Sequence, residues 1–230
     1  MASSRLFLLL PLLFAAGCSD LEDTLGFSSA SAPAAAAPVR VSALAVADEP
    51  LAARTGAAIL GQGGSAADAA TAMFFTLSAT YPAAAGVGGG GICLVRGASG
   101  QVQEFDFLPR APAGGGPMAV PGAVRGFYDL QRAYGILPWQ RDVSPGESYA
   151  GAGFPISAML AQRIAAAQAV LRQDPVLAGE FLDASGRPRG EGVVVANPAL
   201  AATLAQIRLK GAEGFYGEPL AAELTAGANL

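Results

Sequence analysis

The sequence predicts a mixed α and β chain with an antiparallel component, on three observations. Apolar residues recur at helical spacing in several separate segments. Two short β-rich runs are joined by a four-residue turn, and the order is helix, helix, strands, then helices again. Ser42 to Val46 is a short apolar strand candidate. Pro50 then opens a helix carrying Leu51, Thr55, Ala58 and Ile59 on one face until Gly61 and Gly63 stop it. Ser65 is the cap of the next helix, with Asp68 three residues on as its reciprocal partner. To about Thr80 that helix is apolar around most of its circumference, with Ala69, Ala72, Met73, Phe74, Phe75 and Leu77, so it belongs inside the domain.

Pro82 and the glycines from Gly86 to Gly91 separate this helix from the runs Ile92 to Arg96 and Val102 to Phe107. Gly-Ala-Ser-Gly joins the two runs, a hairpin signature. Phe127, Leu130 and Tyr134 mark a helix from Pro121 to Gly135. Leu160, Ile164, Ala167 and Leu171 mark another that stops before Pro175. Asn197-Pro198 starts a third, with Leu200, Leu204 and Ile207 on one face, Lys210 in its last turn and Gly211 beyond.

Residues 1–17 read as a cleavable signal peptide. Arg5 supplies the positive start, Leu6 to Ala16 the apolar run, and Ala15-Ala16-Gly17 the small residues before a cut. That run is too short to span a membrane as a lasting helix. The order Ala15-Ala16-Gly17-Cys18 resembles a bacterial lipobox, in which the Cys18 thiol receives a diacylglyceryl group; the alternative is an ordinary signal cut before a chance cysteine. Either way the chain is exported, and the expected location is the bacterial cell envelope, on the periplasmic side. Residues 18–40 then form the anchor and an Ala/Pro/Ser-rich tether, uncharged and without apolar period from Gly26 to Pro38. Residues 41–230 are the folded portion, long enough to bury a core as one domain.

Composition closes off several kinds of chemistry. The chain has no histidine, which excludes a Ser-His-Asp triad, a Cys-His pair and a His-based zinc site supplied by this chain alone. No metal and no cofactor is expected. After removal of residues 1–17 the charge is 13 basic against 18 acidic side chains, and Lys210 is the single lysine, so nucleic acid is excluded as a partner. With Cys18 acylated, Cys93 has no disulfide partner within the chain, and in Ile92-Cys93-Leu94-Val95 it reads as a small hydrophobe. Isolated acids such as Asp129, Asp142 and Glu180 read as solvated. Gly86-Val87-Gly88-Gly89-Gly90-Gly91 contains G-x-G-x-x-G, but it leaves a helix and enters a strand, the reverse of the dinucleotide motif. A glycine run of this length points instead to close approach of other atoms at a site.

Several segments, in order and spacing, resemble the gamma-glutamyltransferases, also called gamma-glutamyltranspeptidases. They are Leu51-Ala52-Ala53 through Gly61-Gln62-Gly63-Gly64-Ser65-Ala66-Ala67-Asp68, then Tyr81-Pro82, then the glycines to Gly91. Asp106-Phe107 with Ala111-Pro112 follows, then Val120-Pro121-Gly122 with Gly126-Phe127, then Gly153-Phe154-Pro155-Ile156, and Gly214-Phe215-Tyr216-Gly217. The resemblance covers 41–230 and implies part of an N-terminal-nucleophile hydrolase fold, an αββα sandwich of two sheets between helices. It implies a precursor that cuts itself before a threonine, whose own amine serves as base for attack on a gamma-glutamyl amide. That threonine lies beyond Leu230 in the family, so this chain is expected to be the front part of the large subunit, to hold no catalytic residue, and to need a downstream partner subunit. One departure falls within the part present. The family's Asp-Phe-Arg-Glu, whose arginine grips the substrate α-carboxylate, becomes Asp106-Phe107-Leu108-Pro109-Arg110 here. Arg110 is therefore the candidate substrate-binding residue, two positions late. The segment from Ala113 to Met118 is also compressed relative to the family. A non-catalytic envelope lipoprotein that keeps part of the fold is the alternative.

Overall fold

The computed structural model describes residues 43–227, except 113, 114, 116 and 117, with side chains to residue 223. The chain divides into two units, Met1–Val41 and Ser42–Leu230, and the described residues all belong to the second. Its elements are α1 (Pro50–Gly61), α2 (Ala66–Thr80), β1 (Ile92–Arg96), β2 (Val102–Asp106), α3 (Ala123–Tyr134) and α4 (Trp139–Ala152). They continue with β3 (Phe154–Pro155), α5 (Ala158–Leu171), α6 (Pro175–Phe181), β4 (Val194–Val195), α7 (Pro198–Lys210), α8 (Glu213–Tyr216) and α9 (Leu220–Gly227).

The α2 helix is the axis of the domain. Its start is a capping box: Ser65 Oγ accepts from the Asp68 N–H at 3.1 Å and Asp68 Oδ2 accepts from the Ser65 N–H at 2.8 Å. Phe74, Phe75, Ala79 and their neighbours are buried, so the all-round apolar pattern does mark an interior helix. One core cluster joins Phe74 and Phe75 to Val124 of α3, Trp139 and Val143 of α4, Leu204 and Ile207 of α7, and Phe215 of α8. Burying each such side chain contributes about 1.5–3 kcal/mol. The Trp139 indole N–H donates to the Ile207 carbonyl at 2.9 Å, so the ring ties α4 to α7 as well as filling space. A second cluster gathers Tyr81, Phe154, Ile156, Leu160, Ile164 and Phe181 under α5.

Among the described residues the sheet content is two antiparallel pairs. In the first, Ile92 opposes Asp106 and Arg96 opposes Val102. In the second, Phe154 opposes Val195 and Pro155 opposes Val194. The hairpin expected at 92–107 is therefore present. The strand expected at Ser42 to Val46 is not: residues 43–46 form no strand, and Leu44 is 77 % exposed. A strand exists only with a ladder partner, and none of the described residues pairs with this segment.

The α4 helix is not expected from the sequence. It carries Pro145 and Gly146 in its interior, both signals that end helices in isolation. Tertiary packing overrides them: Gly146 lies against the Phe75 backbone, where a methyl group would stand 2.5 Å from the carbonyl carbon and overlap the oxygen. Close α2–α4 contact therefore requires the glycine that local propensity disfavours.

Candidate functional site

The hairpin leaves β2 through Asp106-Phe107-Leu108-Pro109-Arg110, a segment that returns to the domain by pairing. The Arg110 N–H donates to the Val120 carbonyl at 3.2 Å and the Val120 N–H to the Arg110 carbonyl at 2.7 Å. Pro121 and Gly122 then lead into α3, whose first N–H groups are satisfied from outside: those of Gly122 and Ala123 both donate to the Gly89 carbonyl at 3.0 Å. The glycine run thus has a structural use. A methyl on Gly90 would overlap the Phe107 carbonyl and stand 2.6 Å from Pro109 Cδ, and one on Gly122 would stand 2.8 Å from the Phe107 carbonyl carbon. The close approach expected at Gly86–Gly91 is made by the chain's own residues 107–109.

This arrangement walls a cleft of about 420 Å³. Its floor is mostly apolar, with Phe105, Phe107, Leu108, Val120 and Pro121. Arg110 stands at one side, its Nη2 donating to Asp106 Oδ2 at 2.6 Å, and its side chain is 68 % exposed. The Asp106 carboxyl is held below the usual carboxylate range, first by the Leu108 N–H donating at 3.0 Å and then by Arg110, against some loss of hydration. So exposed a pair is weakly held and yields readily to a competing anion. On the other side Arg125 lies over the Tyr216 ring at 4.8 Å and 4.0 Å from Glu213 Oε1. The Tyr216 hydroxyl donates to the Pro121 carbonyl at 2.8 Å and accepts from the Arg125 N–H at 3.3 Å. Burial pushes that hydroxyl up in pKa, partly offset by Arg125, so it is a neutral donor.

Two guanidinium groups beside an apolar floor suit a ligand with an anionic end and a carbon body. Among the described residues no serine, threonine or cysteine lines the cleft. Among the described residues no three ligating side chains gather for a metal. Leu108 is 44 % exposed on the cleft wall. Sequence reasoning misses Arg125 and Tyr216 as site residues; they are 91 positions apart, and no periodicity brings them together.

The other sequence candidates fall elsewhere. Cys18 lies outside the described residues. Cys93 is half-buried beside an apolar cavity of about 660 Å³ with Leu44, Val46, Leu77 and Ile92. Burial pushes its thiol up, which favours the neutral form, in keeping with a packing role. Of the three acids read as solvated, Asp129 is exposed at the cleft rim. Glu180 is half-buried and accepts from Asn197 Nδ2 at 2.9 Å; burial pushes its carboxyl up. Asp142 corrects that reading outright: it is fully buried, because α4 turns it towards α2.

The gamma-glutamyltranspeptidase family model matches residues 52–229, which include every wall of this cleft. The chain belongs to the gamma-glutamyltranspeptidase family. A glutathione hydrolase of Aspergillus flavus is 34 % identical over 191 residues, covering 76 % of this chain and 32 % of that protein. An acylase ACY 1 proenzyme of Pseudomonas sp. strain V22 is 32 % identical over 209 residues, 79 % of this chain and 37 % of the proenzyme. The crystal structure of Helicobacter pylori gamma-glutamyltranspeptidase superposes with a TM-score of 0.75 at 29 % identity, over 80 % of this chain and 59 % of that one. The chain thus spans about a third of the length of the curated relatives it matches. Its fold is a part of the α+β N-terminal-nucleophile hydrolase fold of gamma-glutamyltranspeptidases, with helices and short antiparallel strands.

Proposed function

We propose that this chain is the front portion of the large subunit of an exported gamma-glutamyltransferase-like enzyme, anchored through Cys18 and acting on gamma-glutamyl amides. The match over 52–229, with the arginine-flanked cleft inside it, carries this reading. Chemistry in this family type needs an activated nucleophile and donors for the developing oxyanion, and the cleft residues supply neither. A threonine-bearing partner subunit supplies them. That a relative is named a proenzyme supports an enzyme assembled from a processed precursor. The role left to this chain is substrate binding, with Arg110 taking the substrate carboxylate in place of Asp106. Leader and tether comprise residues 1–40, and 41–230 is the large-subunit portion.

A second reading, a non-catalytic envelope lipoprotein with a binding or scaffolding role, is favoured by one observation. Leu108 replaces the family's clamp, and Arg110 is already paired. Hydrolysis of a gamma-glutamyl anilide separates the two. The full-length parent should show weak activity that Arg110→Ala abolishes, and Leu108→Arg should raise it, since an unpaired buried carboxylate costs about 2–5 kcal/mol. The 230-residue chain alone should be inactive. Strong parental activity that survives Arg110→Ala refutes this account of the cleft, and an inactive full-length protein in all three forms supports the lipoprotein.

A further inference from the structure

The junction of α2, α3 and α4 encloses two carboxyl groups. Asp68 and Asp142 both have no exposed surface. Asp68 is surrounded by donors: its oxygens accept from the N–H groups of Ser65 at 2.8 Å, Ile136 at 3.0 Å and Leu137 at 3.4 Å, and from Gln131 Nε2 at 3.3 Å. Such donors stabilise a carboxylate. Asp142 is the opposite case, since neither of its oxygens meets a partner in hydrogen-bond geometry. It faces Asp68 from α2 and Gln131 from α3.

The cations of the surrounding helices are engaged elsewhere. Arg141 of α4 reaches Gln62, Arg208 of α7 bonds Glu147, and Arg125 and Arg132 of α3 lie over Tyr216 and Tyr128. The remaining charges on these helices, Arg54 of α1, Asp129 and Lys210, are exposed. Two buried carboxyl groups that face each other without a cation cannot both ionise at acceptable cost. The one rich in donors keeps the charge and the other keeps the proton.

We propose that Asp68 and Asp142 form one acid–carboxylate pair, with a single proton held on Asp142, and that its loss in alkaline solution loosens the α2–α3–α4 junction behind the cleft. Asp68 couples the two regions, because the backbone and side-chain groups it binds, Gln131, Ile136 and Leu137, form the end of α3 and the link to α4. Arg125 stands on the same α3 helix as Gln131.

The titration has a definite sign. Burial first, and then the Asp68 charge, push the Asp142 carboxyl up to about 8 from its ordinary 3.8. Its stabilising effect is therefore complete below pH 3.8 and is lost as pH rises through about 8. Asp68 behaves oppositely. Burial opposes its ionisation, but the N–H groups of Ile136, Ser65 and Leu137 and the Ser65 side chain hold its carboxyl below 3.8, so its contribution disappears as pH falls. The two titrate as a pair.

The test uses the full-length protein, with Asp142→Asn and Asp142→Leu. At about pH 6 the parent should show a protonated-carboxyl C=O infrared band that disappears by about pH 9 and is missing from both variants. The parent's melting temperature should fall over that interval, and those of the variants should stay level. A parent without the band at about pH 6 overturns the proposal, whether or not the variants fold. So does a variant that keeps the band or the parent's melting slope.

Discussion

Gly126→Ala tests the packing that builds the cleft, because the sign of its effect is decided by one ring. Gly126 lies in the first turns of α3, and a glycine-to-alanine change inside a helix is favourable by about 1 kcal/mol where space allows. Space does not allow it here. The added methyl would overlap Cγ and Cδ1 of Phe107 and stand 2.5 Å from its Cβ. Phe107 has little freedom to retreat. Its N–H donates to the Gly91 carbonyl at 2.9 Å, its own carbonyl abuts Gly90 and Gly122, and its ring meets Phe127 at 5.3 Å between centroids. Overpacking of this kind costs about 1–3 kcal/mol. In a domain of this size that lowers the melting temperature by about 2–12 °C. Thermal denaturation of the full-length protein followed by circular dichroism reads the shift directly. The double variant with Phe107→Leu should recover part of the loss, since the clash is with the ring and its effect is not additive. A Gly126→Ala protein that melts at or above the parent's temperature refutes the packing described for Phe107.

Two further outcomes are expected. Cys18→Ala should release the protein from envelope membranes, because acyl chains attached at Cys18 would be its hold on the bilayer; a variant that fractionates with the parent refutes the lipid anchor. Trp139→Phe keeps most of the buried ring but removes the indole N–H that the Ile207 carbonyl accepts. The lost bond should cost about 1–3 kcal/mol in denaturant unfolding, and a midpoint equal to the parent's counts against that bond.

Local features of the sequence were enough wherever neighbours in the chain decide the outcome. Ser65 and Asp68 are three residues apart and close a capping box, Asn197-Pro198 starts a helix that Lys210 and Gly211 finish, and Gly-Ala-Ser-Gly turns a hairpin. The family segments and their spacing were likewise legible. The tertiary structure decided what depends on distant partners. Residues 43–46 look like a strand but have no ladder partner among the described residues, and α4 forms through Pro145 and Gly146 because Gly146 must touch Phe75. Arg125 became a cleft residue only when α8 brought Tyr216 beneath it. Asp142 shows the reason most directly. An aspartate's preference for water is a local property, but its burial is set by how two helices pack, and that burial first, then the charge of Asp68, 74 positions earlier in the chain, pushes its carboxyl up.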